Sequence, residues 1–267
     1  MMNQDLLFLK LGGSLITNKL AARTARQDVL SRMADEIAAA LAKNTGLRLV
    51  VGHGSGSFGH FAAKQNGTYD GVRTPDEWLG FARVWKDARE LNQLVLDALA
   101  LASLPVIAFP ASAIVTTARR SVLHWETETI QKALAHHLIP VIQGDVVFDS
   151  ILGGTILSTE DQFFHLASRL KPQRILLAGI EPGVWEDFPA CTRLLDHVHL
   201  NDYANIETSL GASAGVDVTG GMVHKVTRML DVIRENPGLN IRIFSGEKPG
   251  NLEQALLGAE LGTLLSA

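Results

Sequence analysis

The sequence predicts an α/β protein with a mainly parallel central sheet, and three observations predict it. Short apolar runs that end in glycine, Leu6–Leu11 before Gly12-Gly13-Ser14 and Leu47–Val51 before Gly52, alternate with segments whose apolar residues recur every three or four positions. That alternation favours parallel strands joined by helices on the sheet faces. The stretch Val50–His60 carries glycine at 52, 54, 56 and 59, so an apparently buried strand delivers a side-chain-poor backbone that an anion can approach. Several strand ends carry glycine, lysine or acid: Lys10–Ser14, Gly52–His60, Gly144-Asp145 and Gly179–Gly183. In an open parallel sheet such ends share one edge, where ligands bind.

Composition narrows the function classes. A chain of 267 residues, 46% hydrophobic and 19% charged, is ordinary globular material with room for a large core. A net charge of −4 and no basic cluster leave out the electrostatic footprint of a nucleic-acid binder, so a small molecule is the expected partner. Cys191 is the only cysteine, which excludes an internal disulfide framework and a cysteine-based zinc site. Asp5 and Lys10 bracket a run too short for a secretory h-region. Asp97, Pro105 and Pro110 interrupt the membrane-like stretch Leu94–Val115, which reads as a helix end followed by a buried strand. The expectation is a cytoplasmic protein that does not enter a membrane, with no linker dividing its 267 residues.

Taken in order, Leu6–Leu11 is the first strand. Lys10 near its end is unfavourable in a core unless the ammonium emerges at an anion, the alternative being a lysine snorkelling from an edge strand. Lys19 adds a second positive charge, although alone it reads as a solvated loop residue. Asp28–Lys43 has helical spacing and is stopped by Asn44 and Gly46; Leu47–Val51 is the second strand. Gly54, Gly56 and Gly59 have dinucleotide-fingerprint spacing, and Gly54 with Gly59 that of a P-loop. His60-Phe61, however, stand where a P-loop needs Lys and Ser/Thr, and Asp76 and Glu77, at the dinucleotide acid spacing, look like the first turn of a helix.

Thr74-Pro75-Asp76-Glu77 opens a long helix to Ser103, on which Trp78, Phe81 and Trp85 pack a core or wall an apolar pocket. Val106–Phe109 is a third strand, Glu126–His137 a helix, and Val141–Gln143 a fourth strand. Val146–Asp149 and Thr155–Leu157 form a hairpin around Gly153-Gly154. Ser158 or Thr159 caps a helix Glu160–Leu170, whose initial acids have an ordinary explanation in the helix dipole. Arg174–Gly179 is a fifth strand. Residues 186–214 have the weakest pattern. Asp217-Val-Thr-Gly-Gly-Met-x-x-Lys225 opens a helix to Glu235, and Ile241–Phe244, Leu252–Leu257 and Thr263–Ser266 add strand, helix and strand.

Together, Lys10-Leu-Gly-Gly-Ser14 with Lys19, His53-Gly-Ser-Gly-Ser-Phe-Gly-His60, Gly144-Asp145, Asp161 and Asp217-Val-Thr-Gly-Gly-Met-Val-His-Lys225 resemble the amino acid kinase superfamily. Within it the chain is most similar to the isopentenyl phosphate kinases, whose Gly-Ser-Phe-Gly-His hallmark stands at 56–60 and whose Lys-Leu-Gly-Gly-Ser-x-Ile-Thr-x-Lys opening stands at 10–19. The resemblance implies an open αβα sandwich, with residues 1–150 holding the phosphate acceptor and residues 151–267 holding ATP. It implies transfer of the γ-phosphoryl group of MgATP to isopentenyl phosphate, a step of isoprenoid precursor synthesis by the alternative mevalonate route, and a homodimer joined through the amino-terminal half. By the same likeness Lys10 and Lys225 act on the transferring group, with Lys19 a further phosphate contact. Gly12, Gly13, Ser14 and Ser55 line the ATP phosphates, and Gly179, Glu181 and Gly220 belong to the nucleotide site. Gly54, Gly59 and Gly144 border the acceptor, His60 binds its phosphate, and Asp161 aligns the lysines.

Two segments depart from the family pattern. Ser158-Thr159-Glu160-Asp161 stands where Ser-Gly-Asp-Asp is common, and Gly179-Ile-Glu181-Pro-Gly-Val-Trp185 where many members have Asp-Val-Asp-Gly-Val-Tyr. No dedicated carboxylate cage is visible, so Mg2+ is expected to be carried mainly by the ATP phosphates. A phosphate acceptor needs no strong base near neutral pH, because its second ionisation lies near pH 6, and a histidine suits it as a donor. His53, on the same loop, competes with His60 for that role. The rivals are a fosfomycin-type phosphonate kinase of the same fold, a non-catalytic nucleotide sensor, and a dinucleotide oxidoreductase, which leaves Lys10 and Lys225 unexplained.

Overall fold

A computed structural model describes residues 5–18, 20–201 and 221–267, with the side chains of His60 and Phe61 left out. Its strands in chain order are β1 Leu6–Leu11, β2 Arg48–His53, β3 Val106–Ala108, β4 Val115–Ala118, β5 Ser121–Trp125, β6 Ile139–Gln143, β7 Asp145–Asp149, β8 Gly153–Leu157, β9 Arg174–Gly179, β10 Val184–Trp185, β11 Leu194–Leu195, β12 His197–His199, β13 Asn240–Ser245 and β14 Thr263–Ser266. The main sheet runs β12-β14-β13-β9-β1-β2-β6-β3, parallel throughout except where β13 meets β14. Its central strands β9, β1, β2 and β6 therefore bring their carboxyl ends to one edge.

Period-2 alternation along β1 assigns its two faces. Leu7, Leu9 and Leu11 enter one core with helix α2 (Gln27–Lys43), part of the long helix Pro75–Leu101 and the helix Asn251–Leu256. Phe8 enters the other with Val50, Phe163 and Leu166 and with Met229, Leu230 and Ile233. Helices thus cover both faces, as the alternation of segments predicts. Among the described residues no helix is long and apolar enough to cross a membrane.

The long helix begins where Thr74 and Glu77 exchange bonds. The Thr74 hydroxyl accepts from Glu77 N at 3.3 Å and the Glu77 carboxylate accepts from Thr74 N at 2.8 Å. Pro75, lacking an N–H, sits where the helix needs none. One expectation needs correction. The third strand is a half-exposed sheet edge with Ile107 41% exposed, so Leu94–Val115 does not end in a buried strand. The hairpin β7–β8 forms as the sequence predicts and is extended into a second sheet, β5-β4-β7-β8, whose first two strands carry no turn signal. The β4–β5 turn puts two arginines at positive φ, Arg119 at 48° and Arg120 at 67°, where a glycine pair is usual. Their amides donate to the Asp149 carboxylate at 3.0 and 2.8 Å, so the turn is held from β7.

Candidate active site

Two glycine turns meet above the ends of β1 and β2. The first leads into a single helical turn, α1, Gly13–Ile16; the second leads into α3, Gly56–Asn66. A β-carbon on Gly13 would lie 2.6 Å from Gly56 N, and one on Gly54 would lie 2.9 Å from Gly13 N. Contact this close is open only to backbone without side chains, so one function of these glycines is to let the loops touch. The first-turn amides Gly13 N, Ser14 N and Gly56 N have no carbonyl within their own helices, which is the usual state of helix starts and suits an anion.

Other glycine amides are already engaged. Gly12 N donates to Ala178 O at 2.8 Å, Gly54 N to Leu11 O at 3.1 Å and Gly144 N to His53 O at 3.1 Å, tying the loops to neighbouring strands. Gly59, inside α3, faces Ser55: a β-carbon there would lie 2.5 Å from the Ser55 side chain. Gly144 lies beside Ser55 N and the Thr159 hydroxyl, at 3.8 Å from each for its missing β-carbon. Gly12, Gly13, Ser14, Gly54, Ser55, Gly59 and Gly144 thus form one neighbourhood.

Lys10 enters it from below. It lies on the same face of β1 as Phe8, the face covered by helix α7, Thr159–Leu170, where the rings of Phe8 and Phe163 pack at a tilt with centroids 5.0 Å apart. The Lys10 ammonium donates to the Glu160 carboxylate, both side chains being 10% exposed. Burial pushes the Glu160 carboxyl up, but Lys10 and Lys225 outweigh it and hold the group down to about 2. The charge of Lys225, from the helix Gly221–Glu235, therefore reaches the same spot as that of Lys10.

The acid that contacts Lys10 is Glu160, not Asp161, the acid the resemblance assigns to the lysines. Asp161 pairs with Arg228 at 2.7 Å, and its own N–H donates to the Ser158 cap at 3.0 Å. Arg228 also lies over the Phe164 ring at 3.8 Å. Thr159, which replaces a glycine of the family pattern, turns inward and donates to His53 O at 2.7 Å. Gly52 makes room for it: a β-carbon there would lie 2.5 Å from the Thr159 methyl.

His53 is wholly buried, with Nδ1 3.1 Å from Gly54 O and Nε2 3.0 Å from the Asn92 amide. Burial lowers its pKa, against the opposing effect of these bonds. In that position both ring nitrogens are engaged within the protein, and the side chain braces the loop. His60 lies one turn into α3; its side chain, Lys19 and Gly220 lie outside the described residues. Gly179 ends β9, and Glu181 accepts from the Trp185 indole at 2.9 Å, so both stand at the same sheet edge on the far side of β1.

Beside the loops lies a cavity of about 660 Å3 lined by Trp78, Phe81, Trp85 and Phe148, with Asn92 and Gln143 at its polar side. Trp78 meets Phe81 edge-on at 5.2 Å and stacks on Phe148 at 5.8 Å. The aromatic spacing along the long helix signals this wall. Phe148 and Arg228 had no such signal, because each joins the site from an element distant in sequence, and Asn92, a polar residue further along the same helix, had none because its partner His53 stands on β2.

An open α/β sheet with paired glycine loops, a buried lysine and an apolar cavity at its carboxyl edge is the architecture of a small-molecule phosphotransferase. The amino acid kinase family model matches residues 5–245, and the chain belongs to that family. It is 33% identical to the isopentenyl phosphate kinase of Methanocaldococcus jannaschii over 97% of each chain. It is 34% identical to that of Haloferax volcanii over 98% of each. A solved structure of isopentenyl phosphate kinase superposes with a TM-score of 0.82 at 29% identity, covering 98% of this chain and 100% of that one.

Proposed function

We propose that this chain transfers the γ-phosphoryl group of ATP to isopentenyl phosphate, giving isopentenyl diphosphate and ADP. What carries the reading is the full-length similarity to kinases of that name together with Lys10, presented between two anion-ready glycine turns. The acceptor phosphate, mostly dianionic at neutral pH, attacks without needing a strong base. The chain must bring two anions in line and stabilise charge on the moving group. Lys10 and Lys225 supply positive charge there, and Glu160 holds the Lys10 ammonium in position. Gly13, Ser14 and Ser55 take the ATP phosphates, and Gly54, Gly144 and His60 take the acceptor. Its branched hydrocarbon has no polar atoms and fits the aromatic cavity at Trp78, Phe81 and Phe148.

Residues 1–150 form the acceptor lobe and residues 151–267 the nucleotide lobe, with Gly179, Glu181 and Gly220 toward the nucleotide. Lys19 is a further phosphate contact. Glu160 and Asp161 are engaged by Lys10 and Arg228, so they suit a role in holding cations of the chain rather than a metal. Mg2+ arrives on the nucleotide phosphates and, when bound, neutralises part of their charge. The working form is a cytoplasmic homodimer joined through the amino-terminal half.

Steady-state kinetics with ATP and acceptor varied separately test this reading. Isopentenyl phosphate should be preferred to fosfomycin and to acidic amino acids. Lys10→Ala and Lys225→Ala should each lower kcat by several kcal/mol in barrier terms, about the size of other electrostatic contributions to transfer. His60→Ala should affect the acceptor by roughly 1–3 kcal/mol and leave ATP binding unchanged, with His60→Gln recovering part of the loss. Preference for fosfomycin would replace the acceptor; near-normal turnover without Lys10 would remove it from the transfer.

A further inference from the structure

Among the described residues one lysine and one arginine are buried, each residue 8% exposed: Lys10 and Arg48. Lys10 has Glu160. Arg48, the first residue of β2, has no carboxylate partner among the described residues: its Nη2 donates to the His137 ring at 3.1 Å, and its enclosed Nε has no hydrogen-bond partner among them. A guanidinium does not shed its proton in a protein, and an uncompensated buried charge is strongly unfavourable. Arg48 lines a cavity of about 450 Å3 at the amino-terminal edge of the sheet, walled by Ala38, Leu41, Leu49, Ala102 and Leu104. On β2 it lies five residues from His53, roughly 17 Å from the glycine loop at 3.3 Å per residue. The helix ends at this edge are capped in part: Asn44 N donates to Ala40 O at 2.9 Å and Leu104 N to Leu99 O at 3.1 Å.

We propose that this cavity is a second ligand site, for a small amphiphilic anion whose acidic head meets Arg48 beside His137 and whose aliphatic body fills the apolar walls. The volume is within the roughly 300–1,000 Å3 of ordinary ligand pockets. Nothing in the transfer reaction uses it, so the site stands or falls independently of the catalytic reading.

Isothermal titration calorimetry of the full chain with octanoate, octyl phosphate and 1-octanol tests it. Both anions should bind with ATP and isopentenyl phosphate present at saturation, 1-octanol at least ~10-fold more weakly, a difference one charged contact can supply. The order of the two anions identifies the preferred head group. Arg48→Gln should weaken both anions at least ~10-fold and leave 1-octanol unchanged. Ala102→Trp, which fills the cavity and keeps Arg48, should abolish binding while leaving turnover intact. If Arg48→Gln fails to fold by circular dichroism, the Ala102→Trp and 1-octanol comparisons decide. Anions bound no better than 1-octanol, binding retained in Ala102→Trp, or displacement by the substrates would each overturn the site.

Discussion

Glu160 and Asp161 are adjacent acids that serve different cations. Successive helical residues point about 100° apart, so at the start of α7 one faces Lys10 inside and the other faces Arg228 near the surface. Removing the buried partner leaves an uncompensated charge. Glu160→Gln should destabilise the fold by about 3–5 kcal/mol and lower kcat, whereas Asp161→Asn, losing a pair whose side chains are 22–24% exposed, should cost about 1 kcal/mol or less. Urea unfolding and kinetics on both variants check this, and equal effects would reject the assignment of Lys10 to Glu160. The histidines give a second test. Burial, with Arg169 nearby, lowers His165 from 6.5 to about 4, and burial lowers His53 in the same direction. The unfolded chain takes up protons below about 6.5 that the folded chain refuses, so stability should fall as pH drops from 6.5 toward 4. Glu160, lowered from 4.5 to about 2, contributes stability present above 4.5 and lost as pH falls toward 2. His165→Phe, which keeps the stack on Trp125 at 5.5 Å, should flatten the upper part of that decline in urea midpoints measured between pH 7 and 4.5. An unchanged slope would show that His165 is not its source.

At the scale of elements, the two glycine turns act as one unit because backbone touches backbone. Gly13→Ala would put a methyl 2.6 Å from Gly56 N and 2.7 Å from its Cα, and neither atom can move without moving α3. Displacement near 1 Å in such a site costs on the order of 10²-fold in rate, so kcat/KM should fall by about that factor. Gly67→Ala is the control. At φ 62° it carries backbone strain of about 1–2 kcal/mol, but its β-carbon meets nothing within 4 Å, and kinetics should remain normal. Wild-type kinetics in Gly13→Ala would mean that the loops need not touch. The same dependence on a distant element governs the β4–β5 turn. Thr117 and four backbone amides bond to Asp149, and despite burial they hold its carboxyl well below the usual range. The fold therefore keeps an unusual arginine pair at positive φ without any local turn signal.

For the molecule as a whole, the parallel order β9-β1-β2-β6 places loops from widely separated parts of the chain at one edge. The long helix Pro75–Leu101 leaves Leu79 52% and Leu101 87% exposed, apolar surface that the monomer does not cover. Multi-angle light scattering at micromolar concentration should therefore give twice the chain mass; a monomer there would rule out the dimer.

Much of this was legible in one dimension. Strand Thr263–Ser266 and strand Arg174–Gly179 have the bounds the sequence predicts, and the long helix ends two residues before the expected Ser103. Local rules carry such elements: apolar period, caps and glycine stops act over a few residues. The resemblance of the glycine, lysine and histidine motifs was enough to name a kinase of this fold, because those residue types at those spacings have little other use together. What the sequence by itself determined was the class of fold, the edge that holds the site and the kind of chemistry done there. The tertiary structure decided which acid contacts Lys10, that His53 turns inward to Asn92, that Asp149 holds a turn thirty residues away, and that Arg48 lies buried with no carboxylate beside it among the described residues. Each of these depends on the facing of a helix or the register of a strand against a remote partner, and pairings between distant segments have no local pattern to announce them.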